Sequence, residues 1–255
     1  MSFSRSSAGN RKLRRRAPRS RVVWITGSGA GIGKALAEVF AENGDSVVAT
    51  GRNLNGLREL RAQLSRMGLG CDIAACNVLD AKSIDRTAGW ILRRYGRVDL
   101  LINNAGVSSF ATFLKTPTSA FDNIIGTNLR GYFLAARAVL PAMLRRRDGM
   151  IVSIISYAAK TTYAGSAAYS ASKAGADAMM NVLRTEVRGK GIRIMNIYPG
   201  AVDTAMWPRR TRTSQRTKML NAAEVADMIC LATNMRPDAV VEELVIRPQS
   251  GDMVI

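Results

Sequence analysis

A short run of glycines constrains this chain more than any other feature. Thr26-Gly27-Ser28-Gly29-Ala30-Gly31-Ile32-Gly33 follows directly on the apolar run Val22-Val23-Trp24-Ile25. It leads into Ile32, Ala35, Leu36, Val39 and Phe40, spaced as one face of a helix, with Asn43-Gly44 as the stop. A strand that passes through a glycine turn into a helix gathers free backbone N–H groups and the positive end of a helix dipole at one point. Without Cβ atoms the turn lets a pyrophosphate approach that backbone. A plain tight turn would use the same residues, so the rest of the chain has to decide.

The pattern repeats along the sequence. Residues 46–50 read as a second strand. Leu54, Leu57, Leu60, Leu64 and Met67 mark a helix before Gly68, and residues 71–76 a third strand. A helix near 81–95, a strand at 98–102, a long helix over about 121–146, a strand at 150–155, a helix at 167–189 and a strand at 192–198 follow. A short helix at 222–233 and a last strand at 240–246 complete the series. Regular βαβ alternation predicts a parallel sheet covered on both faces: an α/β, Rossmann-type doubly wound parallel sheet in a single domain, residues 22–255. Residues 201–220 lack apolar periodicity and are predicted to be a loop forming a substrate lid.

Composition agrees with one soluble domain: 255 residues, 47% hydrophobic and 22% charged. The chain has no histidine, which excludes a Ser-His-Asp triad, a Cys-His pair and a His-coordinated zinc. Cys71, Cys76 and Cys230 form no C-x-x-C pair, so neither a disulfide framework nor a zinc knuckle is indicated, and reduced thiols in the cytoplasm are expected. No apolar run approaches the ~18 residues of a membrane span. Much of the net charge of +18 lies in residues 1–21, which hold Arg5, Arg11, Lys12, Arg14, Arg15, Arg16, Arg19 and Arg21 and no acid. That segment is expected to be a disordered basic tail. It reads as a solvated appendage, an organellar transit peptide, or a contact to nucleic acid or a membrane surface, and not as a secretory signal.

With histidine absent, acid–base work falls to other groups. Tyr169 and Lys173 stand four residues apart in Ala-Tyr-Ser-Ala-Ser-Lys-Ala, on one face of a predicted helix. An ammonium beside a phenol favours the phenolate and draws its pKa from ~10 toward neutrality. Ser170-Ala171-Ser172-Lys173 also fits the S-x-x-K of serine acyl enzymes, but the companion S-D-N and K-T-G elements are missing. At the end of the second strand, Thr50-Gly51-Arg52-Asn53 carries no carboxylate to hold an adenosine ribose, and the Arg52 fork suits a 2′-phosphate; NADP(H) is expected in preference to NAD. Asn77 either bonds the adenine edge or caps the turn before Leu79-Asp80.

The glycine spacing differs from the Gly-x-Gly-x-x-Gly of the common Rossmann dehydrogenases. Together with Asn103-Asn104-Ala105-Gly106, Asn128 within Gly-Thr-Asn-Leu-Arg-Gly, Ser156 ahead of Tyr169-Ser-Ala-Ser-Lys173, and Pro199-Gly200-Ala201-Val202-Asp203-Thr204, it resembles the short-chain dehydrogenase/reductase family. The resemblance runs from Val22 essentially to the C-terminus. It implies a catalytic tetrad of Asn128, Ser156, Tyr169 and Lys173, and no metal. Tyr169 would exchange a proton with the carbonyl or alcohol oxygen, and Ser156 would polarise that oxygen by a hydrogen bond. Lys173 would lower the Tyr169 pKa and hold the nicotinamide ribose; Asn128 would position a water passing protons between Lys173 and solvent. The implied cofactor site is Thr26, Gly27, Ser28, Gly31, Ile32, Gly33, Arg52, Asn77, Val78, Asn103, Ala105 and Gly106, with Tyr169, Lys173, Pro199, Gly200, Val202 and Thr204.

The expected activity is NADP(H)-dependent interconversion of a ketone or aldehyde and a secondary alcohol. A binding protein that keeps the fold and holds nucleic acid or an anionic surface with its tail is the alternative, although nucleic acid is not the expected partner. Met206 and Trp207 are candidates to line an apolar pocket, while Arg209, Arg210, Arg212, Arg216 and Lys218 make the outer lid positive. That charge reads either as a site for an anionic or carrier-bound substrate or as a solvated loop. The C-terminal Val-Val-Glu-Glu-Leu-Val-Ile-Arg-Pro-Gln-Ser-Gly-Asp resembles reductases of 3-hydroxy acids or 3-oxoacyl groups. The resemblance also implies a homodimer or homotetramer packed through the 121–146 and Tyr169 helices, with Ala135, Ala136, Ala138, Ala176, Ala178 and Met179 suited to close contact.

Overall fold

The computed structural model describes residues 20–251. Within them the chain alternates β1 (Val22–Thr26), α1 (Gly31–Glu42), β2 (Ser46–Gly51), α2 (Leu54–Arg66), β3 (Cys71–Ala75), α3 (Ala81–Tyr95) and β4 (Leu100–Asn103). It continues with α4 (Thr118–Ile125), α5 (Gly131–Arg146), β5 (Gly149–Ile154), α6 (Ala167–Val187), β6 (Ile192–Pro199), α7 (Arg209–Gln215), α8 (Ala222–Thr233) and β7 (Glu243–Ile246). The strands form one seven-stranded sheet ordered β3-β2-β1-β4-β5-β6-β7, and every pairing is parallel. The Rossmann-type α/β architecture expected from the alternation is the one observed.

Both faces of the sheet are covered, so the central strands carry apolar residues in both directions. In β1, Val23 and Ile25 point into the layer shared with Leu36, Phe40 and Leu57. Val22 and Trp24 point into the opposite layer with Ile84, Ile91 and Val139. The indole of Trp24 is fully buried, and its Nε1 donates to Thr50 Oγ1 at 2.9 Å, which satisfies the one polar atom the ring brings inside. The strand order reverses between β1 and β4, and the resulting crevice opens at the carboxyl ends of these strands.

Several elements differ from the sequence reading. The long helix is α4 and α5 joined by a π-helical segment, Gly126–Arg130, with one residue more per turn than an α-helix. The predicted lid loop contains α7 and a 3-10 turn, Arg216–Lys218. None of the α7 residues is buried, so the helix has no apolar stripe by which periodicity could reveal it. Of the alanines expected at a helix contact, Ala135, Ala136 and Ala176 are buried in the chain's own core, whereas Ala178 is exposed and Ala138, like Met179, is half-buried; Phe121, Phe133 and Val182 are the exposed large apolar residues on α4, α5 and α6.

The expected disordered tail lies outside the described residues up to residue 19, but its last residue belongs to the fold. Arg21 donates through Nη2 to Asp45 Oδ2 at 2.7 Å and through Nε to Oδ1 at 3.1 Å, and its Nη1 reaches the Thr233 carbonyl at 3.1 Å. The Asp45 side chain is only 2% exposed. This guanidinium ties the start of β1 to the end of α8 and the turn before β2. Arg21→Ala leaves a buried carboxylate without its ion-pair partner, and a loss of about 3 kcal/mol in urea unfolding is expected. A change within about 0.5 kcal/mol, ordinary for a surface substitution, would show that the pair contributes nothing.

Candidate active site

The strand ends at the crevice hold the glycine turn in place. Gly27 sits at φ +72°, and a Cβ there would lie 2.7 Å from the Ala105 Cα. A Cβ on Gly33 would stand 2.4 Å from both the Gly27 carbonyl oxygen and Asn104 Nδ2. Asn104 is the clamp: its Nδ2 donates to the carbonyls of Thr26 and Gly27 at 2.9 and 3.0 Å, and its own N–H donates to Thr26 Oγ1 at 3.0 Å. The sequence reading passed over Asn104 in favour of Asn103. The neighbouring Asn103 is fully buried, with its amide 3.4 Å from Ser153 Oγ, and does not line the cleft.

The cleft measures about 530 Å³ and runs from the glycine turn to the Tyr169 helix. Of the expected cofactor residues, Gly27, Gly31, Ile32, Gly33, Arg52, Val78, Ala105 and Gly106 line it, as do Pro199, Gly200, Val202 and Thr204. Thr26 and Ser28 are buried beneath the turn; Thr26 accepts the Asn104 and Ala105 N–H groups, and Ser28 Oγ donates to the Ile25 carbonyl. Asn77 does not line the cleft, and its Oδ1 accepts the Leu79 N–H at 3.2 Å, the capping role. A cradle this close, with an arginine exposed at its far end, fits a dinucleotide, and the fit rests on backbone that side chains would fill.

At the other end, β5 delivers Ser156 in extended backbone, where its Oγ accepts the Ala158 N–H at 3.1 Å. Tyr169 and Lys173, on successive turns of α6, face the cleft beside it. Burial pushes the Tyr169 phenol above its ordinary value, and a hydrogen bond with Ser156 opposes the rise. Burial also pulls the Lys173 amine down to about 7. Burial sets the direction of both shifts as the side chains stand. Lys173 Nζ donates to the Ile154 carbonyl at 2.7 Å and to Tyr132 Oη at 3.0 Å, and lies 5.9 Å from the Tyr169 ring centroid. Its ammonium form holds below about pH 7 and gives way to the neutral amine above it.

The π segment turns Asn128 inward, fully buried. Its Oδ1 accepts the Val107 N–H at 2.9 Å, and its Nδ2 donates to the Val107 carbonyl at 2.9 Å and to Ser172 Oγ at 3.0 Å. Both amide protons are used, so this side chain docks the segment after β4 onto α6. Thr127, next to it, lines the cleft with a buried Oγ1 that has no hydrogen-bond partner among the described residues.

The lid closes the Tyr169 end with aromatic rings. Trp207 stacks on Phe110 at 5.4 Å and 7°, and Phe110 leans on Tyr169 at 6.2 Å and 53°. Both ends of the lid are tied, by Leu220 N–H to the Ala201 carbonyl and Asp203 N–H to the Leu220 carbonyl. Arg212 and Arg216 turn onto Asp203 at 2.7 and 3.0 Å, and the Arg212 hydrogen bond, with Arg216 beyond it, holds that carboxyl below its usual range. None of the lid's basic residues lines the cleft. Phe110 was not singled out from sequence, because a lone phenylalanine in Val-Ser-Ser-Phe-Ala carries no local signal. Gly33→Ala must separate the turn from Asn104, and about tenfold or weaker binding of NADPH in a fluorescence titration is expected. Unchanged affinity would mean that the turn is not the binding surface.

Residues 21–215 match the family model described as short chain dehydrogenase. The chain is 31% identical over 239 residues to the sepiapterin reductase of Chlorobaculum tepidum, covering 91% of this chain and 98% of that protein. To the 3-oxoacyl-acyl-carrier-protein reductase of Thermotoga maritima it is 31% identical over 199 residues, 78% of this chain and 81% of that one. Among solved structures, a metagenomic short-chain oxidoreductase in complex with NADP superposes with TM-score 0.81 at 29% identity, covering 91% of this chain and 99% of that one. An actinorhodin polyketide ketoreductase with NADPH gives 0.85 at 28%, covering 92% and 98%. A parallel sheet of this order, with a clamped glycine turn at its crevice and Ser156, Tyr169 and Lys173 at the facing wall, thus comes with sequence similarity along most of its length: the chain belongs to the short-chain dehydrogenase/reductase family of oxidoreductases.

Proposed function

We propose that the protein is an NADP(H)-dependent carbonyl reductase or alcohol dehydrogenase working through Tyr169. The observation that carries the reading is the convergence of Ser156, Tyr169 and Lys173 on one wall of the cleft whose other end is the glycine turn. When bound, the nicotinamide supplies or accepts the hydride. Gly27, Gly31 and Gly33 admit its pyrophosphate to the backbone, and Pro199, Gly200, Val202 and Thr204 shape the wall beside its ring. Arg52 reaches the adenosine end with no carboxylate beside it in Thr50-Gly51-Arg52-Asn53, which supports NADP(H) over NAD(H).

In reduction Tyr169 gives its phenolic proton to the developing alkoxide, and in oxidation the phenolate takes one. A phenol whose pKa is raised by burial is protonated at neutral pH and ready to donate. Ser156 hydrogen bonds to the same oxygen and lowers the cost of the charge that forms there. Lys173, as ammonium, stabilises the phenolate left behind. Asn128 acts by holding the segment after β4 against α6, so that Gly106 and Val107 keep their distance from Lys173.

The Phe110–Trp207 stack and Met206 give the substrate end an apolar, flat wall, which supports an uncharged carbonyl substrate with a ring or an acyl chain. Arg209 and Arg210 of α7 are exposed and lie off the cleft, so they favour a carrier or other anionic group held outside the cleft over an anionic reacting end. Exposed Phe121, Phe133 and Val182 support a homodimer or homotetramer joined through α4, α5 and α6. The three free, buried cysteines support a cytoplasmic location, and no helix among the described residues is long and apolar enough to cross a membrane.

A panel of aromatic ketones and 3-oxoacyl thioesters, followed by loss of absorbance at the nicotinamide band, is expected to show turnover with NADPH. No turnover with NADPH or NADH on any of them would remove the reductase reading. Arg52→Asp is expected to move the NADH-to-NADPH ratio of kcat/KM at least about tenfold toward NADH. An unchanged ratio would refute the cofactor preference.

A further inference from the structure

Lys173 is a buried cation-forming group without an acid. No ion pair involves it among the described residues, and burial is the one cause that displaces its proton affinity. What it has instead is two oxygens that close a hydrogen-bonded triangle with it. Nζ donates to the Ile154 carbonyl at 2.7 Å and to Tyr132 Oη at 3.0 Å, while Tyr132 Oη donates to the same carbonyl at 2.9 Å. The phenol has one proton, and the Ile154 carbonyl takes it. Its remaining lone pairs are what it turns toward the lysine.

Tyr132 is 1% exposed and comes from α5, directly after the π segment that buries Asn128. Nζ lies 4.9 Å from its ring centroid, so the ring face adds to the attraction of the oxygen for a positive charge. The other titratable group facing Nζ is Tyr169, from its own helix. Ser172 and Asn128 pair with each other, and the β4 side presents Gly106 without a side chain. Burial holds the Tyr132 phenol well above its ordinary pKa, so it stays a neutral dipole and is no rival base to Tyr169. A tyrosine kept only to fill the core needs no hydroxyl on the lysine.

We propose that Tyr132 is a positioning residue that seats Lys173, standing with the Ile154 carbonyl in place of a carboxylate partner and keeping the ammonium beside Tyr169. The inference rests on the reading of Lys173 as the charge that serves Tyr169. Removing Oη takes away one of two acceptors of the ammonium, so the lysine loses its proton at lower pH, and with it the charge that stabilises the Tyr169 phenolate.

The test reads Lys173 without relying on turnover. In the full chain labelled with 13Cε-lysine, the Lys173 resonance is assigned by its absence in Lys173→Met and followed through a pH titration. In Tyr132→Phe its midpoint is expected to fall by about one pH unit, a tenfold change in proton affinity. The alkaline limb of NADPH-dependent reduction is expected to fall with it, whereas a residue that merely fills space would lower the rate evenly at all pH. An unmoved midpoint overturns the proposal. A shifted midpoint in a protein that reduces nothing would sustain the seat and remove the reductase reading instead. Should Tyr132→Phe unfold, 3-fluorotyrosine at position 132 keeps the ring and both hydrogen bonds while weakening the oxygen as acceptor. A smaller fall is then expected, and an unmoved midpoint again overturns the seat.

Discussion

A parallel sheet ends all its strands on the same edge, and everything functional in this molecule depends on that constraint. The glycine turn follows β1, Asn104 to Gly106 follow β4, Ser156 follows β5, and Pro199 to Thr204 close β6. Each of these segments starts where its strand ends, so the strand itself delivers it to the edge. The reversal of strand order between β1 and β4 then parts the covering helices where these loops meet, which is where the cleft opens. Asn104 converts that proximity into a fixed distance, since one amide bonds both Thr26 and Gly27 and leaves no room for a Cβ on Gly33.

The same enclosure sets the chemistry. Burial raises the Tyr169 phenol and lowers the Lys173 amine, so it works against both ionised forms. In the proposed reduction such a site suits Tyr169 as the proton donor, with Ser156 and the charge on Lys173 supplying its acidity. The lysine is held by oxygen dipoles from β5 and α5 rather than by an acid.

Much of this was legible in the residues because it is local. Strand runs, helical spacing, the glycine turn and the four-residue spacing of Tyr169 and Lys173 are all read within short windows, while Asn128 and Ser156 were reached through the family resemblance. What escaped was made by contacts between distant segments or by geometry without composition. Helix α7 lies exposed and shows no apolar period. The π segment needs only one extra residue in a turn, which no spacing rule around Asn128 announces. Phe110 and Trp207 meet only after the sheet has brought β4 and β6 to one edge, and Tyr132 reads as one more core aromatic until its hydroxyl is found on Lys173. The choice of Asn103 over Asn104 was decided by the pleat: the first points into the sheet toward Ser153 and the second onto the turn.

The central claim is that Tyr169 is the proton donor opposite a hydride delivered across the same cleft. Tyr169→Phe keeps the ring against Phe110 and removes only the hydroxyl. Measured side by side for NADPH affinity and for single-turnover reduction of a ketone that the unaltered protein accepts, this variant is expected to bind NADPH as before. Its reduction rate is expected to fall on the order of 10³-fold. Reduction at the original rate, with NADPH bound as before, would contradict the account.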